Sequence, residues 1–384
     1  MATRTTTTRT TQPECVPSAD SNSALPFSTA DLLQAYYDCR KHKRNKSSSI
    51  AFEMNLERNI MQLKDELMTG RYTPGQSICF VITRPKPREV WAADFRDRIV
   101  HHLLYNKIAP RFERAFITDS CACIKGRGTL YAGKRIEQKI RSITQDWSVN
   151  AYYLKCDLAN FFVSINKDVL LKQIKTKVTE PWWAELAELV LMHDPRTHYA
   201  LRGSPELLKR VPEHKRLTNQ NNRYGLPIGN LSSQFFANIY LNDLDQFVKH
   251  TLKVKHYIRY VDDFVLLHES PQQLNEWLAA INTFFPSLGV KLNPTKTILQ
   301  PLSRGIDFVG HVIQPHRRTT RKKTIRQAVA RIKTVTTENL RQTANSYFGL
   351  ARQAGKSQRN RAKIANAVLM RGKSVDFSLT KAFK

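Results

Sequence analysis

Eleven residues, Tyr257-Ile258-Arg259-Tyr260-Val261-Asp262-Asp263-Phe264-Val265-Leu266-Leu267, leave this chain few ways to fold. Two adjacent carboxylates stand between two apolar, β-prone runs. That pattern predicts a tight β-hairpin with Asp262 and Asp263 at its tip. Neighbouring carboxylates repel, so the arrangement is costly unless a cation neutralises them. In isolation the pair reads first as a solvated Asp-Asp turn, and the rest of the chain has to decide.

A chain of 384 residues suits two or three subdomains with sizeable cores, and 41% hydrophobic content means most of it should fold. The net charge of +29 calls for a polyanionic partner, nucleic acid before an anionic membrane surface. No apolar run reaches membrane-spanning length; Trp183-Ala184-Glu185-Leu186 shows how charge interrupts them. Cys15, Cys39, Cys79, Cys121, Cys123 and Cys156 are too scattered for a disulfide framework. Cys121-x-Cys123 lacks the second pair of a zinc site, so all six are expected to be reduced thiols of a cytosolic protein. The start, Met1-Ala2-Thr3-Arg4, has no apolar core of a secretory signal, and residues 1–24 are expected to be a disordered Thr-rich tail.

Helical spacing begins after Pro26, with Ser28 as N-cap for Leu32, Leu33, Tyr36 and Tyr37. A basic run, Arg40 to Lys46, is either a solvated face or a phosphate contact. One further helix, carrying Phe52, Leu56, Ile60, Leu63 and Leu67, is expected to end at Gly70. Residues 77–84 predict a strand. The proline-stiffened segment Arg84-Pro85-Lys86-Pro87-Arg88 then holds cations ready for a triphosphate or simply makes a basic turn. Cys121 to Thr129, with Lys125 and Arg127, predicts a flexible basic loop. Tyr152 to Asp157 predicts a buried strand ending on an acid. Residues 195–224 show little periodicity and are expected to be an exposed connection, with Lys209, Arg210, Lys215 and Arg216 available to nucleic acid. Gly225 to Gln234 is a Gly/Pro turn running into a helix, where free backbone amides favour an anion or a base edge. Beyond the hairpin come an amphipathic helix over Pro271–Phe285, a strand and turn presenting Lys296, and a short strand pair over Gly305–His311. From Pro315 onward eighteen Lys/Arg face two acids, a net of +16, yet Ile325, Val329, Ile332 and Val335 still mark a helix face. This is a folded basic element suited to a nucleic-acid backbone.

One carboxylate at a strand end and two at a hairpin tip can hold two Mg²⁺ ions, the arrangement phosphoryl transfer needs. At this point the chain resembles the reverse transcriptases. Tyr260-Val261-Asp262-Asp263 is similar to their Tyr-x-Asp-Asp box, and Asp157 with Phe161-Phe162 to their first catalytic motif. Gly225 to Gln234 resembles the motif on the palm helix. Lys296 stands where their lysine follows the hairpin, and Phe308-Val309-Gly310 resembles the primer-grip strand pair. Order and spacing agree over about residues 75 to 315.

The resemblance implies an α+β right-hand polymerase fold. Fingers would span 25–150, a palm with an antiparallel sheet 151–314, and a basic helical thumb 315–384. It implies an RNA-directed DNA polymerase using two Mg²⁺, with Mn²⁺ as a substitute. Asp157 and Asp262 would ligate both ions, with the Leu158 carbonyl contributing and Asp263 helping. Lys86 and Arg88 would hold the dNTP triphosphate, Phe162 would exclude a 2′-hydroxyl, and Lys296 would sit near the leaving pyrophosphate. Ile228, Gly229 and Gln234 would lie beside the nascent pair. Lys125, Arg127, Tyr260, Phe308 and Gly310 would attend primer and template. Ile228 stands where most of the family carries Gln, and Leu226 to Gln234 resembles the reverse transcriptases of diversity-generating retroelements. These copy a template-repeat RNA with errors at adenines, so that the cDNA diversifies a target gene. The implied partners are template RNA, the cDNA or primer, dNTPs and a small basic accessory protein, with no membrane. The implied setting is the cytoplasm of a bacterial, archaeal or phage-infected cell. About 70 residues follow the primer-grip strands, enough for a thumb and too few for an RNase H domain. The alternatives are a group II intron-type reverse transcriptase and a non-catalytic RNA-binding protein on a polymerase fold.

Overall fold

The computed structural model describes residues 25–384 apart from His42, Pro85, Lys356 and Lys384. The Thr-rich segment 1–24, expected to be disordered, and Cys15 within it lie outside the described residues. The strands are, in chain order, β1 (Ser77–Ile82), β2 (Arg88–Ala92), β3 (Tyr152–Asp157), β4 (Tyr199–Arg202) and β5 (Tyr257–Tyr260). They continue with β6 (Asp263–His268), β7 (Ile298–Pro301), β8 (Ile306–Phe308), β9 (His311–Gln314) and β10 (Arg317–Thr320). Three sheets result, in the orders β2-β1-β4, β5-β6-β3-β7 and β10-β9-β8. Among the described strands every ladder is antiparallel except β1 with β4, so the chain has the expected α+β architecture. No helix among the described residues is long and apolar enough to cross a membrane. The described cysteines are all free thiols.

Two compact units form, neither continuous in sequence. The first takes in the described residues up to Phe116 together with 160–243 and 287–290. Its opening helix, Thr29–Arg40, starts at a reciprocal capping box between Ser28 and Asp31. The single helix expected next is two, Ser47–Glu53 and Leu56–Met68. Asn55 leaves helical geometry at φ −131°, and the Asn59 side chain donates across the break to the Phe52 carbonyl at 2.9 Å. The expected exposed connection 195–224 is also corrected, because β4 lies inside it and pairs with β1. Three of its four residues are exposed, so no apolar alternation betrays the strand. Val211 and Leu217 of the same segment are buried. The buried Glu89 carboxylate accepts from the Leu217 amide at 2.8 Å and from the Thr218 hydroxyl at 3.1 Å. The segment is thereby folded down onto β2.

The second unit comprises 117–159, 244–286 and 291–384. Its main sheet sets β3 between β6 and β7, and β5 on the far edge of β6. Helix Thr129–Ile143 belongs here although it falls within the 25–150 segment. Its Ala132, Ile136 and Ile140 share a core with Ile258, Val265 and Phe308. The β8–β10 sheet runs on past residue 314, and the basic helices begin only at Lys322. Helices Lys322–Thr334, Thr337–Ala351 and Gln358–Leu369 close around Ile325, Ile332, Leu340, Phe348, Ile364 and Val368. Burying each such side chain stabilises by about 1.5–3 kcal/mol, whereas an exposed like-charge contact costs about 1 kcal/mol in water. The apolar core therefore folds this segment despite its charge.

Candidate catalytic site

The hairpin forms where the pattern placed it. Tyr260 pairs with Asp263, which leaves a two-residue loop of Val261 and Asp262. Asp263 is thus the first residue of β6, and of the two carboxylates only Asp262 lies in the turn. Val261 has φ +56°, the pattern of a type II′ turn whose first position ordinarily takes Gly. A β-branched residue there stores about 1–2 kcal/mol of strain. The Leu158 amide holds the turn by donating to the Asp262 carbonyl at 3.3 Å.

Strand β3 ends at Asp157, whose Cα partner across the antiparallel ladder is Asp263. Residues paired in register point to one face, so two carboxylates from neighbouring strands come together at the sheet end. Burial pushes the Asp263 pKa up; Lys155 opposes the shift, and Asp262 and Asp157 add to it. The Lys296 ammonium, at the end of the 3₁₀ turn Pro294–Lys296, donates to Asp157 Oδ1 at 2.5 Å. That turn is tied back to β3, since the Asn293 amide donates to the Asp157 carbonyl at 2.8 Å. The partner of Lys296 in this structure is Asp157 itself.

A divalent cation suits this donor set. The ligands are all oxygen, the choice of hard cations, and Asp263 is destabilised by its acidic neighbours in the way a cation relieves. Among the described residues, no group of three His, Cys, Asp or Glu side chains is arranged to hold a metal ion. Asp263 faces Asp157 across the ladder, and Asp262 precedes it in the turn.

Of the nucleotide-binding candidates, Lys296 belongs to the second unit and the others to the first, where Arg88, Ile228 and Gly229 gather at β2. Arg88 opens that strand and is exposed, as is Lys86 just before it. The Trp91 amide donates to the Ile228 carbonyl at 2.7 Å, and the Ala93 amide to the Asn230 side chain at 3.0 Å. Gly229 sits between them at φ +131°. A Cβ there would lie 2.8 Å from Val90 Cγ1 and 3.1 Å from the Trp91 carbonyl oxygen. Ile228 is half-buried, and Gln234 is exposed on the first turn of helix Leu231–Gln246. Phe162 is half-buried in the short helix Phe161–Ser164, entered through Asn160 at φ +51°, and its carbonyl accepts from the Leu226 amide at 2.8 Å.

The family described as reverse transcriptase (RNA-dependent DNA polymerase) matches residues 85–313. The chain belongs to the reverse transcriptase family. A relative, "Uncharacterized 91 kDa protein in cob intron" of Schizosaccharomyces pombe, is 22% identical over 327 aligned residues. The match covers 69% of this chain and 37% of that protein, so this chain spans little more than a third of its relative's length. Among solved structures, a telomerase from Candida albicans in complex with the TWJ fragment of telomeric RNA superposes at a TM-score of 0.44. Its identity is 14%, over 77% of this chain and 55% of that one.

The candidates for primer and template contact fall out unequally. Tyr260 is half-buried, and Lys125 is exposed. Arg127 donates to the Ile117 and Ser120 carbonyls, both at 2.9 Å, so its guanidinium braces its own loop. That loop is not the free basic loop expected. Cys121, Ala122 and Ile124 are buried, and the Cys121 amide donates to the Arg259 carbonyl. Phe308 is wholly buried in the core, and what its hairpin presents is the Val309–Gly310 turn, both residues at positive φ. Arg259 and Asp245, both fully buried, were not singled out from the sequence. The signal was an arginine inside an otherwise apolar strand, where a charge must find a partner.

Proposed function

We propose that this reverse transcriptase is an RNA-directed DNA polymerase that joins dNTPs to a primer on an RNA template. The observation that supports this best is the in-register pair of Asp157 and Asp263, with Lys296 on Asp157, beside the Asp262 turn. Asp157, Asp262 and Asp263 are the residues that would hold two Mg²⁺, or Mn²⁺; the ions would lower the pKa of the primer 3′-hydroxyl and neutralise the leaving pyrophosphate. Lys296 then exchanges its carboxylate partner for the pyrophosphate and donates a proton from Nζ. Arg88, with Lys86, binds the triphosphate as a cation on a rigid strand. Phe162 packs under the sugar and excludes a 2′-hydroxyl. The surplus of Lys and Arg, net +16 from residue 315 on, grips the template backbone.

Within that reading, the enzyme serves a diversity-generating retroelement, copying a template-repeat RNA with errors at adenines alongside a small basic accessory protein. Ile228 supports this, since it offers no side-chain hydrogen bond where an amide would police the nascent pair. A second reading, a group II intron-type enzyme, is favoured by the similarity to a protein in the cob intron. The deciding experiment is primer extension on an RNA template with Mg²⁺ and dNTPs, sequencing the products by template base, with and without native extract. Errors concentrated at adenines support the retroelement. Even fidelity supports the intron-type enzyme. No product in either condition returns the chain to an RNA-binding role.

A further inference from the structure

Arg259 is the only charged residue of β5, and it is completely shielded from solvent, as are Tyr257 and Ile258 before it. A guanidinium in that position is tolerable only when fully paired. Asp245, near the end of helix Leu231–Gln246 and equally shielded, accepts from Arg259 Nε at 2.8 Å and Nη2 at 2.6 Å. Tyr257 Oη donates to the same carboxylate at 2.8 Å. Nη2 also reaches Ser120 Oγ at 3.1 Å, and Nη1 donates to the Val261 carbonyl at 3.1 Å.

That last contact bears on catalysis. The Val261 carbonyl belongs to the peptide entering Asp262, and the Asp262 carbonyl, in the peptide leaving it, is held by the Leu158 amide. Both peptide planes around the turn carboxylate are therefore clamped, one of them by a side chain. The clamp acts on a turn that its own Val261 strains toward other geometries. The strand itself does not depend on it. Backbone pairing to β6 holds one edge of β5, and the Arg259 amide and carbonyl bond to Asp119 and Cys121 on the other.

We propose that Arg259, oriented by Asp245, is a positioning residue that fixes the direction in which Asp262 is presented. The proposal rests on the polymerase reading. Stability alone does not account for the pair, because a buried ion pair replaced by apolar residues of similar volume commonly leaves a protein equally or more stable. Lysine would keep the charge but not the planar fork that meets Asp245, Ser120 and Val261 together.

The test uses the double variant R259M/D245L and the single variant R259K in the full chain. Stability is read by urea denaturation, primer–template affinity by equilibrium binding, and kcat and KM for dNTP by single-nucleotide extension. The double variant should unfold at a slightly lower midpoint, because the buried Tyr257 hydroxyl loses its Asp245 acceptor, but bind primer–template as tightly and keep KM within about twofold. Its kcat should fall about a hundredfold, the usual consequence of misplacing a catalytic group by about 1 Å. R259K should fail to restore kcat. Amide hydrogen exchange reads the turn with no catalysis involved: protection should drop across 260–263 and persist in 264–267. Wild-type kcat in the double variant, or parallel loss of kcat, affinity and midpoint, overturns the proposal. So does unchanged exchange at the turn. A wild-type protein that extends no primer refutes the polymerase reading instead, and the exchange experiment still decides whether Arg259 holds the turn.

Discussion

Gly229→Ala should destabilise the first unit by about 3 kcal/mol. Two contributions make up that figure. At φ +131° a side chain is strained whatever the space around it, at a cost of about 1–3 kcal/mol. The added Cβ would also lie 2.8 Å from Val90 Cγ1 and 3.1 Å from the Trp91 carbonyl oxygen. Val90 can turn to another rotamer for about 1 kcal/mol. The carbonyl cannot retreat, because Trp91 pairs with Cys79 on one side and its amide donates to the Ile228 carbonyl at 2.7 Å on the other. Gly203→Ala separates the two contributions. Gly203 lies in the same unit at φ +99°, and its nearest atom is Leu207 Cδ1 at 3.9 Å. It should lose only the conformational part, about 1–2 kcal/mol. Urea denaturation followed by circular dichroism measures both. For a unit of this size the Gly229 change corresponds to a melting shift of about 6–12 °C. The dNTP KM should rise for Gly229→Ala alone, since only that turn carries Ile228. Equal losses for the two variants would refute the close approach of the turn to β2.

Asp262→Asn should lower extension about a thousandfold while primer–template affinity stays near wild type; retained activity removes the carboxylate site. Phe162→Ala should relax selection against ribonucleotides at least about tenfold, read by competing dNTP and NTP incorporation, and unchanged selectivity rejects the sugar-gate role. Ile228→Gln should reduce misincorporation opposite template adenine, and an unaltered error spectrum means another position sets fidelity. His101 should make the fold acid-sensitive. Burial, with His193, His102 and Arg98 nearby, lowers its pKa to about 3. Its contribution is complete above the unfolded value near 6.5 and is lost as pH falls toward 3, by about 2 kcal/mol at pH 5. Asp97, raised to about 6 by burial, opposes this by about 1 kcal/mol between pH 7 and 5. The stability gap between wild type and His101→Gln should therefore shift by about 2 kcal/mol in favour of the variant on going from pH 7 to pH 5. Parallel urea midpoints at the two values would contradict it.

The local rules written into the chain were enough for much of this protein. Apolar, β-prone runs placed β3, β5 and β6, helical spacing placed the first two basic helices, and Ser28 marked its helix start, because each depends on neighbours within a turn or a strand. The Asp-Asp box and Asp157 were legible for the same reason. Other features depend on partners far along the chain. β4 exists because β1 offers an edge, and its own residues are mostly exposed. The pairing of Asp157 with Asp263 follows from ladder register, which is set 106 residues apart. Phe308 looked like a contact for the primer until the core claimed it. Arg259 needed the fold most. Its charge was visible in the sequence, but its meaning lies in Asp245, Ser120 and the Val261 carbonyl, which only the folded chain gathers around one guanidinium. Sequence determines which groups are present and how each short stretch prefers to bend; tertiary structure decides which buried charges meet, because desolvation makes every such meeting obligatory and leaves its location to the packing.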